Sequence, residues 1–317
     1  MSLKIRMLIL GIVVIVIGVL LVVTRQPGPS GGLRAAFDAE FLTRPDGYRG
    51  LKEHYGFEFL SEPMQMDPGL MYKVVADGAV DVIDGFATDG RIPTYNLMIL
   101  EDDKGFFPPY YAAPLIQNET LKQHPELEKI LDRLARKISD ETMQRLNYEV
   151  DGKGRKAYDV AWDFLVLQGL IQEDTRPGNG SAGTMTIGGK HFTEQEILGE
   201  IMAILIERNS NIRVIRKLNL GGTIICFNAL KAGDIDLYAE YTGTGLVNIL
   251  KKKVIANPDK AYETVKRLFK KKYNLRWLKP FGFNNTYTLT MRREHAKELG
   301  LETISDLARY INEYKKK

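Results

Sequence analysis

The sequence has one cysteine in 317 residues, Cys226, so it can form neither an intrachain disulfide nor a thiolate metal cluster. Its four histidines, His54, His124, His191 and His295, are scattered and never take the H-E-x-x-H spacing of a zinc enzyme. A G-x-S-x-G elbow, a Walker loop and a G-x-G-x-x-G turn after a strand are also missing. No catalytic centre or cofactor is suggested, and the expectation is a protein that is not an enzyme. Net charge is small too: of the formal +4, three charges are Lys4, Arg6 and Arg25. The near-neutral remainder lacks the basic face of a nucleic-acid binder.

Long apolar runs are absent except for one. Residues 7–24 are uncharged and rich in Ile, Val and Leu, and as a helix they would extend about 27 Å, near the hydrocarbon thickness of a bilayer. Val22-Val23-Thr24-Arg25-Gln26 fits the small-residue cleavage pattern poorly. The expectation is an uncleaved N-terminal transmembrane helix, with Lys4 and Arg6 on the cytoplasmic side and the folded part on the periplasmic or extracellular side.

What the sequence does contain is an echo of itself. The stretch 76–90, with Asp81 and Phe86, lines up with the stretch 231–245, with Asp236 and Tyr241, 155 positions later. Each copy follows a plausible helix, turns on a glycine, runs a short apolar strand with one Asp, and ends in a ring-bearing, glycine-containing loop. Two similar α/β lobes with strand ends facing a shared cleft follow from this pattern, with Phe86 and Tyr241 approaching one ligand from opposite sides. Chance likeness between two ordinary αβ turns is the alternative.

Residues 1–32 form the anchor and a Pro/Gly spacer, and 172–185 read as a flexible linker between the segments 33–171 and 186–317. Past the linker, a strand begins at Thr186. Thr193 with Glu196 fits a capping box, and Leu198, Ile201, Met202, Leu205 and Ile206 recur at the spacing of a helix with one buried face. Residues 212–218 read as a strand, 223–232 as a helix closed by Gly233, and 235–238 as a strand. Such alternation implies largely parallel sheets with helices outside and ligands beyond the carboxyl ends of the strands. Cys226, in an apolar helical stretch, reads as a buried, inert thiol.

Four rings sit in segments rich in Gly, Pro or Asn: Phe86, Tyr110, Tyr241 and Tyr287. Ring faces attract a quaternary ammonium ion, each contact contributing roughly 0.5–2 kcal/mol; packing is the competing reading for any one ring. Arg44, in the turn Thr43-Arg44-Pro45-Asp46-Gly47, could hold a carboxylate with two prongs or pair with Asp46. Lys190, before the helix that starts near Thr193, could hold an anion or point to solvent.

The strings Gly189-Lys190-His191-Phe192-Thr193-Glu194-Gln195, Leu220-Gly221-Gly222-Thr223, Glu240-Tyr241-Thr242-Gly243-Thr244-Gly245, Thr43-Arg44-Pro45-Asp46-Gly47 and Phe86-Ala87-Thr88-Asp89-Gly90-Arg91 closely resemble the substrate-binding proteins of glycine betaine/carnitine/choline ABC transporters. The resemblance implies a two-lobed, type II periplasmic-binding-protein fold that captures a quaternary ammonium solute and delivers it to an ABC permease. A sensing ectodomain with the same fold is the alternative. Relative to the usual family order the two halves are exchanged, a circular permutation. The implied lobes are 104–282 and 33–103 plus 283–317. Phe86, Tyr110, Tyr241 and Tyr287 would form the aromatic box, and Arg44, Lys190 and Thr244 would meet the carboxylate. Asn285 falls where some relatives carry Asp, and His191 and Gly189 depart from the commonest loop pattern.

Overall fold

Among the described residues, short runs of β-branched and apolar residues form ten strands in two separate sheets, and both sheets use the same plan. The structure, a computed structural model, describes residues 32–316; the expected membrane segment 7–24 lies outside them. Among the described residues no helix is long and apolar enough to cross a membrane.

The first sheet contains β1 (Ala35–Phe37), β2 (Met64–Gln65), β3 (Val82–Phe86), β4 (Leu97–Leu100) and β10 (Tyr287–Arg292), in the order β2-β1-β3-β10-β4. The second contains β5 (Ala112–Gln117), β6 (Thr184–Gly188), β7 (Arg213–Lys217), β8 (Leu237–Tyr241) and β9 (Leu275–Trp277), in the order β7-β6-β8-β5-β9. In each, the first three strands are mutually parallel and the fourth runs against its neighbours. That fourth strand departs from the largely parallel sheets expected. The cause is connectivity: β5 and β10 are the strands entered directly from the opposite lobe, so each arrives at the cleft end and runs away from it.

Four further expectations are corrected. Strand β6 begins at Thr184, so residues 184–185 belong to the sheet rather than the linker. The strand expected over 235–238 runs from Leu237 to Tyr241. The loop expected after Tyr241 is a wide helical turn, Thr244–Ile249. Helix Thr193–Asn209 is buried on every side over its first three turns, not along one face, and it starts without a capping box. Thr193 instead donates its hydroxyl to Asp151 at 2.6 Å, and Gln195 reaches back to accept the Lys190 N–H at 3.2 Å.

The helix is enclosed because helices Asp140–Asp151 and Ala157–Leu167 pack on the side that β6, β7 and β8 leave open. This central packing fixes where the loop 189–192 meets the cleft. Two chain segments join the lobes side by side. Asn284 accepts the Tyr110 N–H at 2.7 Å, and Asn285 donates its N–H to the Tyr110 carbonyl at 3.2 Å. The two crossings are thus tied to each other where the chain passes between sheets.

Candidate functional site

The cleft ends of the sheets carry the rings. Phe86 ends β3 and Tyr287 opens β10, and they are register partners across that pair. Tyr241 ends β8 opposite Ala112, two residues past Tyr110. Phe86, Tyr241 and Tyr287 belong to strand ends rather than to free loops, which holds their planes by backbone pairing, while Tyr110 stays in the segment before β5. Centroid separations are 5.6 Å from Tyr110 to Tyr287 and 5.3 Å from Tyr287 to Phe86. Phe192 stacks on Phe86 at 5.7 Å and on Tyr241 at 6.3 Å. Phe86 and Tyr241 therefore do face each other across the cleft, with a fifth ring between them. Gly243 makes room for this wall, since a Cβ there would lie 2.7 Å from the Tyr110 ring.

All eight residues singled out in the sequence, Phe86, Tyr110, Tyr241, Tyr287, Arg44, Lys190, Thr244 and Asn285, line one cavity of about 90 Å³. One water needs roughly 10–15 Å³ by that measure, so the space suits a small organic molecule rather than a lone solvent. Asp38, Glu40, His191, Phe192 and Thr223 complete much of the lining.

Arg44 is placed by the turn that follows helix Ala39–Thr43, where the Gly47 N–H closes on the Arg44 carbonyl at 3.1 Å. Its guanidinium grips Asp46 through Nε at 2.8 Å and Nη2 at 2.7 Å, and Nη2 also donates to the Tyr110 hydroxyl at 3.1 Å. Burial opposes its charge, yet Tyr110, Tyr287 and Asp46 hold it protonated more firmly than usual. The remaining edge, Nη1, lies 3.6 Å from Glu40. The pairing with Asp46 is thus the one formed, and Arg44 lines the cavity beside it.

Lys190 is 5% exposed, so it does not point to solvent. Its ammonium donates to Glu240 at 2.6 Å and lies 5.0 Å from the Tyr241 ring centroid. An ammonium carries three N–H groups, so Lys190 can serve Glu240 and still face a ligand. Glu40, from the first lobe, accepts the Thr223 N–H of the second at 3.3 Å, at the start of helix Thr223–Ala232.

Glu194, which sequence reasoning passed over, lies behind the ring wall. Its carboxylate accepts from Tyr241 Oη at 2.6 Å, Asn285 Nδ2 at 2.9 Å and Asn147 Nδ2 at 3.1 Å, and from the Thr88 hydroxyl. Burial raises its carboxyl above the usual value, only partly offset by the four donors. Burial, followed by the Glu194 charge, raises the Tyr241 phenol well above its usual range, keeping it a donor. Burial also lifts the Asp38 carboxyl. Phe192 and Glu194 both stand in the quoted string Phe192-Thr193-Glu194-Gln195, but a capping box at Thr193 was the wrong use for it. Cys226 is fully buried in the helix, its thiol pushed up to about 11 by burial. Among the described residues no group of three or more His, Cys, Asp or Glu is placed to hold a metal ion.

With this geometry in view, comparison with known proteins gives a family. Residues 26–166 and 183–317 match the substrate binding domain of ABC-type glycine betaine transport systems, and the chain belongs to that family. The carnitine transport binding protein OpuCC of Listeria monocytogenes is 48% identical over 135 residues, 42% of this chain and 43% of that protein. The ergothioneine transport permease/ergothioneine binding protein EgtU of Helicobacter pylori is 44% identical over 136 residues, 43% of this chain and 24% of that one. A glycine-betaine-binding protein of Pseudomonas aeruginosa is 38% identical over 148 residues, 46% and 47% of the two chains. These alignments span less than half the length of each curated relative. A solved glycine betaine/carnitine/choline ABC transporter structure is 44% identical over 43% of this chain and 50% of its own, with a TM-score of 0.35.

Proposed function

We propose that the protein captures a small zwitterion bearing a trimethylammonium head and a carboxylate, glycine betaine or a close relative, outside the cytoplasmic membrane. It then delivers the solute to the permease of an ABC importer. The observation that carries this reading is the convergence of Tyr110, Tyr287, Phe86, Phe192 and Tyr241 with Arg44 and Lys190 on one cavity. Ring faces hold a methylated cation, which donates no strong hydrogen bond and gives up little on leaving water. Arg44 and Lys190, with Thr244, take the carboxylate. The box and anchor roles of these residues, and of Asn285 beside them, are part of the proposal. Carnitine, glycine betaine and ergothioneine, named for the relatives, all combine a trimethylammonium group with a carboxylate.

The proposal includes the exchanged order of the two halves and lobes of 104–282 and 33–103 plus 283–317. Its support is that Gly32 and Leu33 lie beside Tyr310, Ile311 and Tyr314, so the ends a permutation must have separated are neighbours. The N-terminal segment 7–24 is the proposed membrane anchor on the strength of its apolar sequence.

Calorimetry on the purified soluble part, residues 32–317, with glycine betaine, carnitine, ergothioneine, proline betaine and choline tests the ligand class. Carboxylate-bearing ligands should bind at least tenfold more tightly than choline. Failure of all five to bind would remove the assignment.

A further inference from the structure

We infer that Glu194 is the protein's counter-ion for the cationic head of the ligand, and thereby the residue that separates a quaternary ammonium from a neutral group of the same shape; this rests on the ligand class proposed above. A buried carboxylate ordinarily has a cationic partner. Glu194 is 2% exposed, and among the described residues no Lys, Arg or His forms an ion pair with it. The nearby arginine, Arg91, is taken up by both oxygens of Asp89. What Glu194 has instead is four hydrogen-bond donors, which stabilise negative charge without neutralising it.

Two of those donors, Tyr241 and Asn285, themselves line the cavity, so the charge stands one side chain behind its wall. Glu194 shares a second, small hollow with Phe86, Phe192 and Asn285, all three of which also line the main cavity. Donation by the Tyr241 hydroxyl also makes its ring more electron-rich, strengthening the face a cation meets. Of the other lining acids, Glu40 already faces Arg44 at 3.6 Å, and Asp38 caps helix Ala39–Thr43 by accepting the Glu40 N–H at 3.0 Å. The position of Asn285, where an acid was in question, thus becomes a relay to an acid from the opposite lobe.

The test crosses charge on the protein with charge on the ligand. Glycine betaine and 3,3-dimethylbutanoate have the same shape and carboxylate, but the second has carbon in place of nitrogen. Wild type should prefer betaine by tenfold or more, and Glu194→Gln should lower betaine affinity about tenfold while leaving the isostere within twofold. Asn147 Oδ1 is buried without a partner, so an amide flip there can accept from the new glutamine, at the cost of its bond to the Thr88 carbonyl. Equal loss for both ligands, or no loss for either, overturns the proposal. If wild type binds no quaternary amine, the function reading fails first, a result visible without the variant. Should Glu194→Gln fail to fold by circular dichroism, Glu194→Asp, which keeps the charge, must keep the preference for betaine; losing it overturns the proposal equally.

Discussion

Single residues show where sequence reasoning reaches and where it stops. Arg44 was legible because Pro45 and Gly47 announce a turn, and a turn fixes where a side chain starts. The partners of Lys190 and Tyr241 were not, because Glu240 and Glu194 are ordinary acids in sequence and become an ion-pair partner and a hydrogen-bond acceptor only when strands and helix meet. Asp84 is a further case, invisible as the odd polar residue in the strand Val82–Phe86. It is fully buried, its Oδ1 accepts the Asp38 N–H at 2.8 Å, and its Oδ2 has no partner. Burial therefore holds its carboxyl protonated well above the ordinary value of 3.8. The unfolded chain releases that proton near 3.8 while the native state keeps it, so this group's contribution to stability is full at low pH and declines as pH rises. Asp84→Asn has no proton to lose and keeps an oxygen for Asp38. At pH 7 it should melt higher than wild type, by about 2–4 °C per kcal/mol recovered, with the gain vanishing near pH 3.5. A gain of equal size at both pH values would show that ionisation is not its origin.

At the scale of elements, the internal echo marks a physical device used twice. Asp81 donates its N–H to the Arg34 carbonyl at 2.8 Å, and its carboxylate accepts the Arg34 N–H at 2.9 Å. Asp236 makes the same two bonds with Thr186, at 2.8 and 2.7 Å. Each aspartate, just before its own strand, ties it to a neighbour, at Arg34 before β1 and at Thr186 in the middle of β6, and β3 and β8 then deliver Phe86 and Tyr241 to the cleft. The echo was readable because short-range geometry demands the same residue type twice. The shifted strand limits at Leu237–Tyr241 and the enclosed helix Thr193–Asn209 were less readable, since both depend on what packs from elsewhere in the chain. The copies differ in their other partners: Asp81 also holds Arg34 and Arg292 side chains, whereas Asp236 holds the Thr120 hydroxyl at 2.8 Å. Burial works against the Asp81 charge, but the arginines outweigh it and set its carboxyl below the usual range. Asp236→Ala should cost about 1–3 kcal/mol by leaving the Thr186 N–H unpaired, and Asp81→Ala more, because two guanidinium groups also lose their acceptor. Urea unfolding of the two variants gives the order, and equal costs would mean that the arginines add nothing.

For the whole molecule, the decisive contact is the one between lobes beside the cleft. Gly90, just past β3, sits against the backbone of helix Asp140–Asp151 from the other lobe: a Cβ would lie 2.3 Å from the Tyr148 nitrogen and 2.5 Å from the Asn147 carbonyl carbon. Its φ of −67° is open to any residue, so the glycine is required by proximity and not by backbone strain. Neither obstructing atom can swing aside as a side chain would. The same junction holds the Asn147 amide on the Thr88 carbonyl at 2.8 Å and the Thr88 hydroxyl on Glu194, so the approach at Gly90 and the ring wall are set together. Gly90→Ala should therefore prop the lobes apart without touching a cavity residue. The ligand-free protein should still unfold cooperatively with most of its melting temperature kept, since each lobe keeps its own core. Affinity for the ligand should fall tenfold or more, because contacts from the two lobes no longer form together. Small-angle scattering at saturating ligand should show a larger radius of gyration than for wild type. If Gly90→Ala binds at wild-type affinity with wild-type dimensions, capture does not depend on this apposition of the lobes, and the rings of one lobe must hold the ligand without those of the other.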